Sequence, residues 1–231
     1  MNAEISLNSS FLDNVSIDEN EIVVKVFGDI SLNTANEFQS KLLNLDKKGL
    51  DFIPVAINSS GGEVDGLMMM IAAIEQCSTP ICTICVGLCA SSAAVLFCFG
   101  SENLRIMYPN SHLMFHEFSM SCGESKGCDI RATHSHYTKI DKILNKKIEK
   151  HIGLPNNFFD DMGHVDSFIA ARDALKLGIC TFVGYPLLKI ECNFHMSLDL
   201  KKGVRQETDN RPNKFQKTIP LSFDTTFQVG T

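Results

Sequence analysis

The chain of 231 residues lacks an excess of positive charge: 21 Lys and Arg stand against 27 Asp and Glu, a formal charge of −6. It therefore carries no basic footprint, and nucleic acid is not an expected partner. The N-terminus MNAEISLNSS has no cationic stretch followed by an apolar one, which argues against a signal peptide. Nine cysteines are present, but only Cys82 and Cys85 form a CxxC, inside the strand-like ICTICV, with no second pair at a matching distance. No metal site and no cofactor is expected from that spacing. The other thiols lie mostly in apolar runs, as core cysteines of a reduced, cytoplasmic protein do. The one long uncharged stretch, Gln76 to Ser101, has the length of a membrane span. Pro80, Gly87 and Ser91–Ser92 divide it into a short strand, a turn and a helix, so no membrane segment is expected. No internal repeat and no low-complexity tract is present.

What remains is a globular composition, 44% hydrophobic and 21% charged. Strand-like and helix-like segments alternate. Strands are expected at Ile22 to Phe27, Phe52 to Ile57, Ile81 to Val86, Leu104 to Met107 and His112 to Phe115. Helices are expected at Asn33 to Leu45, Val64 to Ile74, after the serine turn, over the long run Lys126 to Ile152, near Asn157 to Met162 and from Ala170 to Leu177. This order predicts an α/β fold with right-handed crossovers. Met68, Met69 and Met70 read as core filling. Residues 1–21 read as a flexible segment, 22–184 as the principal domain and 185–231 as a C-terminal extension, a tail or an added hairpin ending in TIPLSFDTTFQV.

The small-residue run VGLCASSAAVLF, Val86 to Phe97, sets Ser91 in a tight turn between a buried strand and a buried helix. Bulky neighbours there would keep a peptide backbone from its hydroxyl, and a helix beginning at this point presents free backbone N–H groups. Acyl transfer by serine needs a base, a group that orients the base and donors for the oxyanion. His116 follows the apolar strand HLMF and is the candidate base. Asp166 in HVDSFIAA is the candidate orienting acid. Gly62, in INSSGGEVDG, and Ser92 offer backbone N–H groups for an oxyanion hole. Each residue also has a plainer reading: Ser91 as a helix N-cap, His116 as a structural hydrogen-bonder, Asp166 as a cap for the helix after it, and the glycine pair as a simple turn.

Four segments carry a family resemblance. INSSGG is similar to INSPGG, VGLCASSAA to a GxAAS(M/A)(G/A)A turn, PNSHLMFHEF to PNSRxMIHQP, and VDSFIAARDALKLGI to RDxFLSAxEAxxYGL. In that order and spacing they resemble the proteolytic subunit of the Clp protease, ClpP, over about residues 22 to 184. The resemblance implies a Clp/crotonase-type ββα superhelix with a long handle helix and, here, an added C-terminal tail. It implies a serine endopeptidase with Ser91 as nucleophile, His116 as base, Asp166 as third member, and Gly62 and Ser92 as oxyanion donors. It further implies a homo-oligomer of stacked heptameric rings, unfolded proteins as substrates, a AAA+ unfoldase of the ClpX or ClpA kind, and a handle strand at Ser121 to Gly127.

Ser60 stands where the family has proline, and Glu117–Phe118 replace Gln-Pro. No segment before Ile22 resembles the family's axial gate. The divergent ends are similar to those of phage and viral ClpP-like proteases, some of which mature proheads. Other readings are a catalytically silent ring subunit, an acyl-CoA enzyme of the crotonase type and a Ser–Lys signal-peptide peptidase. The presence of all three triad residues, the superfluous Ser–His pair for enolate chemistry, and a histidine as the best-placed base count against them in turn. Lys139 and Lys146 read as the solvated face of the long helix.

Overall fold

In a computed structural model of the chain, the described residues are 22–117, 127–162, 166–186, 188–194 and 221–227. The chain divides into two units, Met1–Tyr185 and Pro186–Thr231. The segments expected to be a flexible N-terminus and a handle strand lie largely outside the described residues.

The first unit begins with β1 (Val24–Phe27), α1 (Leu32–Asp46), β2 (Ile53–Ser59), α2 (Val64–Gln76), β3 (Ile81–Ala90) and α3 (Ser92–Cys98). It continues with β4 (Arg105–Met107), β5 (His112–Phe115), α4 (Gly127–Ile152), α5 (Phe158–Asp161), β6 (Ser167–Ala170), α6 (Ala171–Lys176) and β7 (Phe182–Val183). The sheet runs β1-β2-β3-β4-β7, every pairing parallel. All but one residue of β2 is buried, as expected for a strand covered on both faces. α1 starts in a reciprocal cap, with Thr34 N–H donating to Ser31 Oγ and Ser31 N–H to Thr34 Oγ1. It buries Ala35, Phe38, Leu42 and Leu45, one stripe at helical spacing.

β3 differs from the sequence expectation, and the difference shapes the molecule. It does not stop at Val86 but runs to Ala90. Between the pairs Ile57–Cys85 and Ser59–Cys89, two steps on β2 face four on β3, a bulge. Before the bulge β3 pairs with β4, and after it with β5. Gly87 marks this bend rather than the strand end: a Cβ there would sit 2.6 Å from Asn58 Oδ1, which instead accepts from Leu88 N–H. The bulge swings the end of β3 over to β5, and so carries Ser91 to the strand that ends just before His116.

The uncharged stretch is thus β3 plus α3, and no helix among the described residues is long and apolar enough to cross a membrane. Cys82 and Cys85, an odd number of residues apart on one strand, leave its opposite faces and cannot converge on one ion. Burial pushes the Cys82 thiol up to about 11 and the Cys98 thiol to about 12, the state of inert core cysteines. Met70 is fully buried, whereas Met68 is 38% exposed and does not fill the core.

α4 spans 26 residues. Residues 131–136 are exposed, Lys139 and Lys146 are exposed, and Leu144 and Ile148 are buried, so the helix docks through its C-terminal half. Glu149, also buried, accepts from the N–H groups of Asn157 and Phe159 and thereby fixes α5 against α4. The helix expected from Ala170 begins one residue later, because SFIA forms β6, antiparallel to β5. In the second unit β8 (Leu188–Phe194) and β9 (Leu221–Phe227) pair antiparallel.

Candidate active site

Ser91 occupies the turn between β3 and α3 with φ 54° and ψ −126°, a backbone state that side chains other than glycine seldom adopt. Its N–H donates to Met114 O on β5 at 2.8 Å, and the surrounding strands hold the strained turn. Although it stands at the N-cap position, its side chain makes no capping bond to α3. The hydroxyl instead lies 2.7 Å from Nε2 of His116, the first residue after β5. The plainer reading of Ser91 as an N-cap therefore fails on geometry. His116 is half-buried, and its only hydrogen bond among the described residues is this one.

The glycine turn after β2 lies against the same spot. Gly61 and Gly62 have φ 99° and 148°. A Cβ on Gly61 would come within 2.8 Å of Ser91 Cβ and 3.1 Å of Ser92 N. The sequence singles out Gly62, but Gly61 is the residue whose missing side chain lets the loop close on the serine turn. The adjacent pair INSSGG held that signal. Ile30 N–H donates to Gly61 O and Glu63 N–H to Ile30 O, which leaves the Gly62 N–H outside the bridge. Ser92 Oγ donates to Gly62 O at 2.9 Å and fastens the loop to α3. Among the described residues neither the Gly62 N–H nor the Ser92 N–H has an acceptor. Ser60, in the place of the expected proline, donates its hydroxyl to Asp29 Oδ1 at 3.0 Å and ties the turn back from the other side.

Gly62→Ala is expected to destabilise the fold by about 2–4 kcal/mol. Its Cβ would meet Ile30 O at 2.1 Å, a backbone atom that cannot swing aside. Urea unfolding checks this: a midpoint equal to that of the unchanged protein would show that the loop relaxes freely.

Asp166 stands apart. It is exposed and forms no hydrogen bond with His116. Nor does it cap a helix, since β6 follows it. The β5–β6 register pairs His112 with Ala170 and Phe115 with Ser167; one step further sets Asp166 opposite His116. The structure thus joins Ser91 and His116, while Asp166 follows the last β5–β6 pair and makes no hydrogen bond to the histidine.

Beside the Ser91–His116 pair opens a cavity of about 110 Å³. α2 contributes Leu67, α3 contributes Val95, and α4 contributes Ile140 and Leu144 to its apolar wall. Three carboxylates line it as well: Glu117, Asp141 and Asp160. Burial pushes the Asp141 carboxyl up first, the charges of Glu117 and Asp160 push it further, and His116 opposes them. No local pattern in the sequence groups these three; only the docking of α4 and α5 does.

Known proteins resemble this chain over most of its length. The pattern of the family described as Clp protease matches residues 9–185. An ATP-dependent Clp protease proteolytic subunit of Carsonella ruddii (strain PV) is 30% identical over 177 residues, 76% of this chain and 90% of the relative. A chloroplastic ATP-dependent Clp protease proteolytic subunit 3 of Arabidopsis thaliana is 32% identical over 148 residues, 63% of this chain and 47% of that longer protein.

Proposed function

The chain belongs to the Clp protease family, and on that premise we propose that it is a serine endopeptidase in which Ser91 and His116 cut peptide bonds. The observation that carries this reading is the 2.7 Å contact between Ser91 Oγ and His116 Nε2 in a turn whose serine is strained and does no capping work. In the first step Oγ attacks the scissile carbonyl carbon while Nε2 takes its proton. The carbonyl oxygen becomes an oxyanion, held by the N–H groups of Gly62 and Ser92. The imidazolium then gives its proton to the leaving amine, and an acyl-serine remains. Water, deprotonated by the same imidazole, releases the acid and restores Ser91. In this reading Asp166 turns its side chain to accept from Nδ1–H, keeps the Nε2 lone pair facing Ser91 and supports the transient positive charge.

Residues 22–184 make up the peptidase domain in this proposal, and 185–231 are an extension added to it. The protein acts as stacked heptameric rings that admit unfolded chains delivered by a AAA+ unfoldase, in the cytoplasm. The family membership supports this assembly. No metal or cofactor takes part, because every role in the cycle has a side chain or a backbone amide to fill it.

The test is covalent labelling. A fluorophosphonate probe is expected to add one label per chain, at Ser91, in the assembled protein, and Ser91→Ala is expected to remove it. Labelling at another residue, or none in a well-formed oligomer, would overturn the assignment and favour a silent subunit.

A further inference from the structure

Two adjacent glycines make the loop after β2 soft where the oxyanion needs it fixed. Gly61 and Gly62 have φ 99° and 148°, and neither carries a side chain that would resist rotation. Ser60 precedes them where the resembling family has proline, so the φ that a pyrrolidine ring would lock is free in this chain. Hydrogen bonds hold the loop instead. Gly61 N–H donates to Ser59 Oγ at 3.0 Å, Ile30 N–H donates to Gly61 O at 2.8 Å, and Ser60 Oγ donates to Asp29 Oδ1. Gly62 O has one donor among the described residues, the hydroxyl of Ser92 at 2.9 Å. Packing alone does not call for that hydroxyl, since the turn GxAAS(M/A)(G/A)A that this segment resembles has methionine or alanine at the position. Nor does the hydroxyl serve its own helix, because its acceptor lies on another loop.

We propose that Ser92 acts through its hydroxyl as a positioning residue, holding the Gly62 N–H in register with its own N–H so that both point at one oxyanion. The inference deepens the peptidase reading above and rests on it. Ser92 then belongs to the site twice. Its backbone supplies one donor, and its side chain fastens the residue that supplies the other. The bond from Oγ to Gly62 O joins the two nitrogens through a short run of atoms, and an oxyanion that accepts from both closes that run into a ring. Without the hydroxyl, Ile30 still holds Gly61 O and Glu63 N–H on either side of Gly62, so the donor is loosened and not removed. A donor serves the transition state only within about 2.7–3.1 Å of the place where the negative charge develops. That charge is absent from the bound substrate, so the loss falls on kcat and leaves KM in place. Ser92 is 6% exposed, which keeps water from replacing its hydroxyl in the same geometry.

The test uses a short fluorogenic peptide and two inhibitors built on its sequence, an aldehyde and the matching alcohol. The aldehyde forms a hemiacetal: Ser91 Oγ bonds to the carbonyl carbon, the C=O π pair moves to the oxygen now in the hole, and His116 takes the serine proton. The alcohol offers no carbonyl oxygen and reports substrate binding alone. Ser92→Ala is expected to lower kcat about ten- to thirtyfold with KM within about twofold, a fraction of the roughly 10²–10³ that removing a whole oxyanion donor costs. Affinity for the aldehyde should fall by a similar factor, and affinity for the alcohol should hold. Ser92→Thr keeps the hydroxyl and should recover most of the rate. Ser92→Cys, a weak donor, should fall between alanine and serine and serves if threonine does not fit. A kcat for Ser92→Ala within about twofold of the unchanged protein overturns the inference and leaves the peptidase standing. So does a loss that weakens the alcohol as much as the aldehyde, or one no smaller in the threonine and cysteine variants. Failure of the unchanged protein to cleave the peptide, with Ser91 unlabelled by fluorophosphonate, overturns the peptidase reading and this one with it.

Discussion

Alanine at His116 lowers kcat/KM for a short peptide by about four to six orders of magnitude, alanine at Ser91 does the same, and the double variant is no slower than either. The reason is that the two groups act as one. A serine hydroxyl is not a useful nucleophile at neutral pH until a base takes its proton within the same step, and the imidazole 2.7 Å away is the group in reach. Without it Oγ stays protonated; without Oγ the imidazole has nothing to activate. The residual rate comes from the oxyanion donors and from substrate positioning, which neither substitution touches, about 10³–10⁴ above water. Neither side chain fills the core, for both are only half-buried. Alanine at position 91 keeps the Cβ, so it inherits the backbone strain of φ 54° and should not stabilise the turn. Subunit count and thermal midpoint are therefore expected to stay near those of the unchanged protein. Steady-state kinetics on the three variants decide the matter. Multiplicative losses, with the double variant far below both singles, would mean that the two residues do not serve one proton transfer.

The parts of the fold that could be read from sequence are those in which one local pattern suffices. The unbroken apolar run of β2 and the Ala35–Phe38–Leu42–Leu45 stripe of α1 both state their burial directly. The end of β3 is not legible because Gly87 reads as a stop, while in the fold it is the place where the backbone crowds Asn58 and turns. β6 leaves no signal of its own because four residues, SFIA, run straight into a helix and take their strand character only from pairing with β5. β7 is two residues long and exists only as an edge on β4. The site divides in the same way. Ser91 and His116 are legible because each stands at the end of an apolar element. The group of Glu117, Asp141 and Asp160 is not, since it joins the second residue after β5, the middle of α4 and α5 through tertiary docking. The hydrogen bonds from Asn157 and Phe159 to Glu149, which hold α5 in place, leave no mark in the sequence either.

Asp166→Asn is expected to lower kcat by about 10⁴ at neutral pH with little change in KM. The β5–β6 register, carried one pair beyond Phe115–Ser167, sets residues 116 and 166 face to face. Directly opposed residues in an antiparallel pair have Cβ atoms about 4.5–5.5 Å apart, close enough for a carboxylate to accept from Nδ1–H after a side-chain rotation. An ionised carboxylate accepts only, so it holds the proton on Nδ1 and leaves the Nε2 lone pair for Ser91. Asparagine is nearly the same shape but can also donate through its amide. It then stabilises the opposite tautomer, in which Nε2 carries the proton and cannot take another. Asparagine also offers no charge to set against the imidazolium. Asp141 is the competing carboxylate, as it lines the cavity that His116 lines. Burial and the neighbouring charges of Glu117 and Asp160 work against its ionised form, whereas Asp166 is exposed. A carboxylate that must stay charged while the imidazole gains a proton is better supplied by the second. If Asp166→Asn retains near-normal kcat while Asp141→Asn loses it, the orienting role moves to α4. A loss confined to Asp166→Asn, partly restored by Asp166→Glu, fixes it at the start of β6.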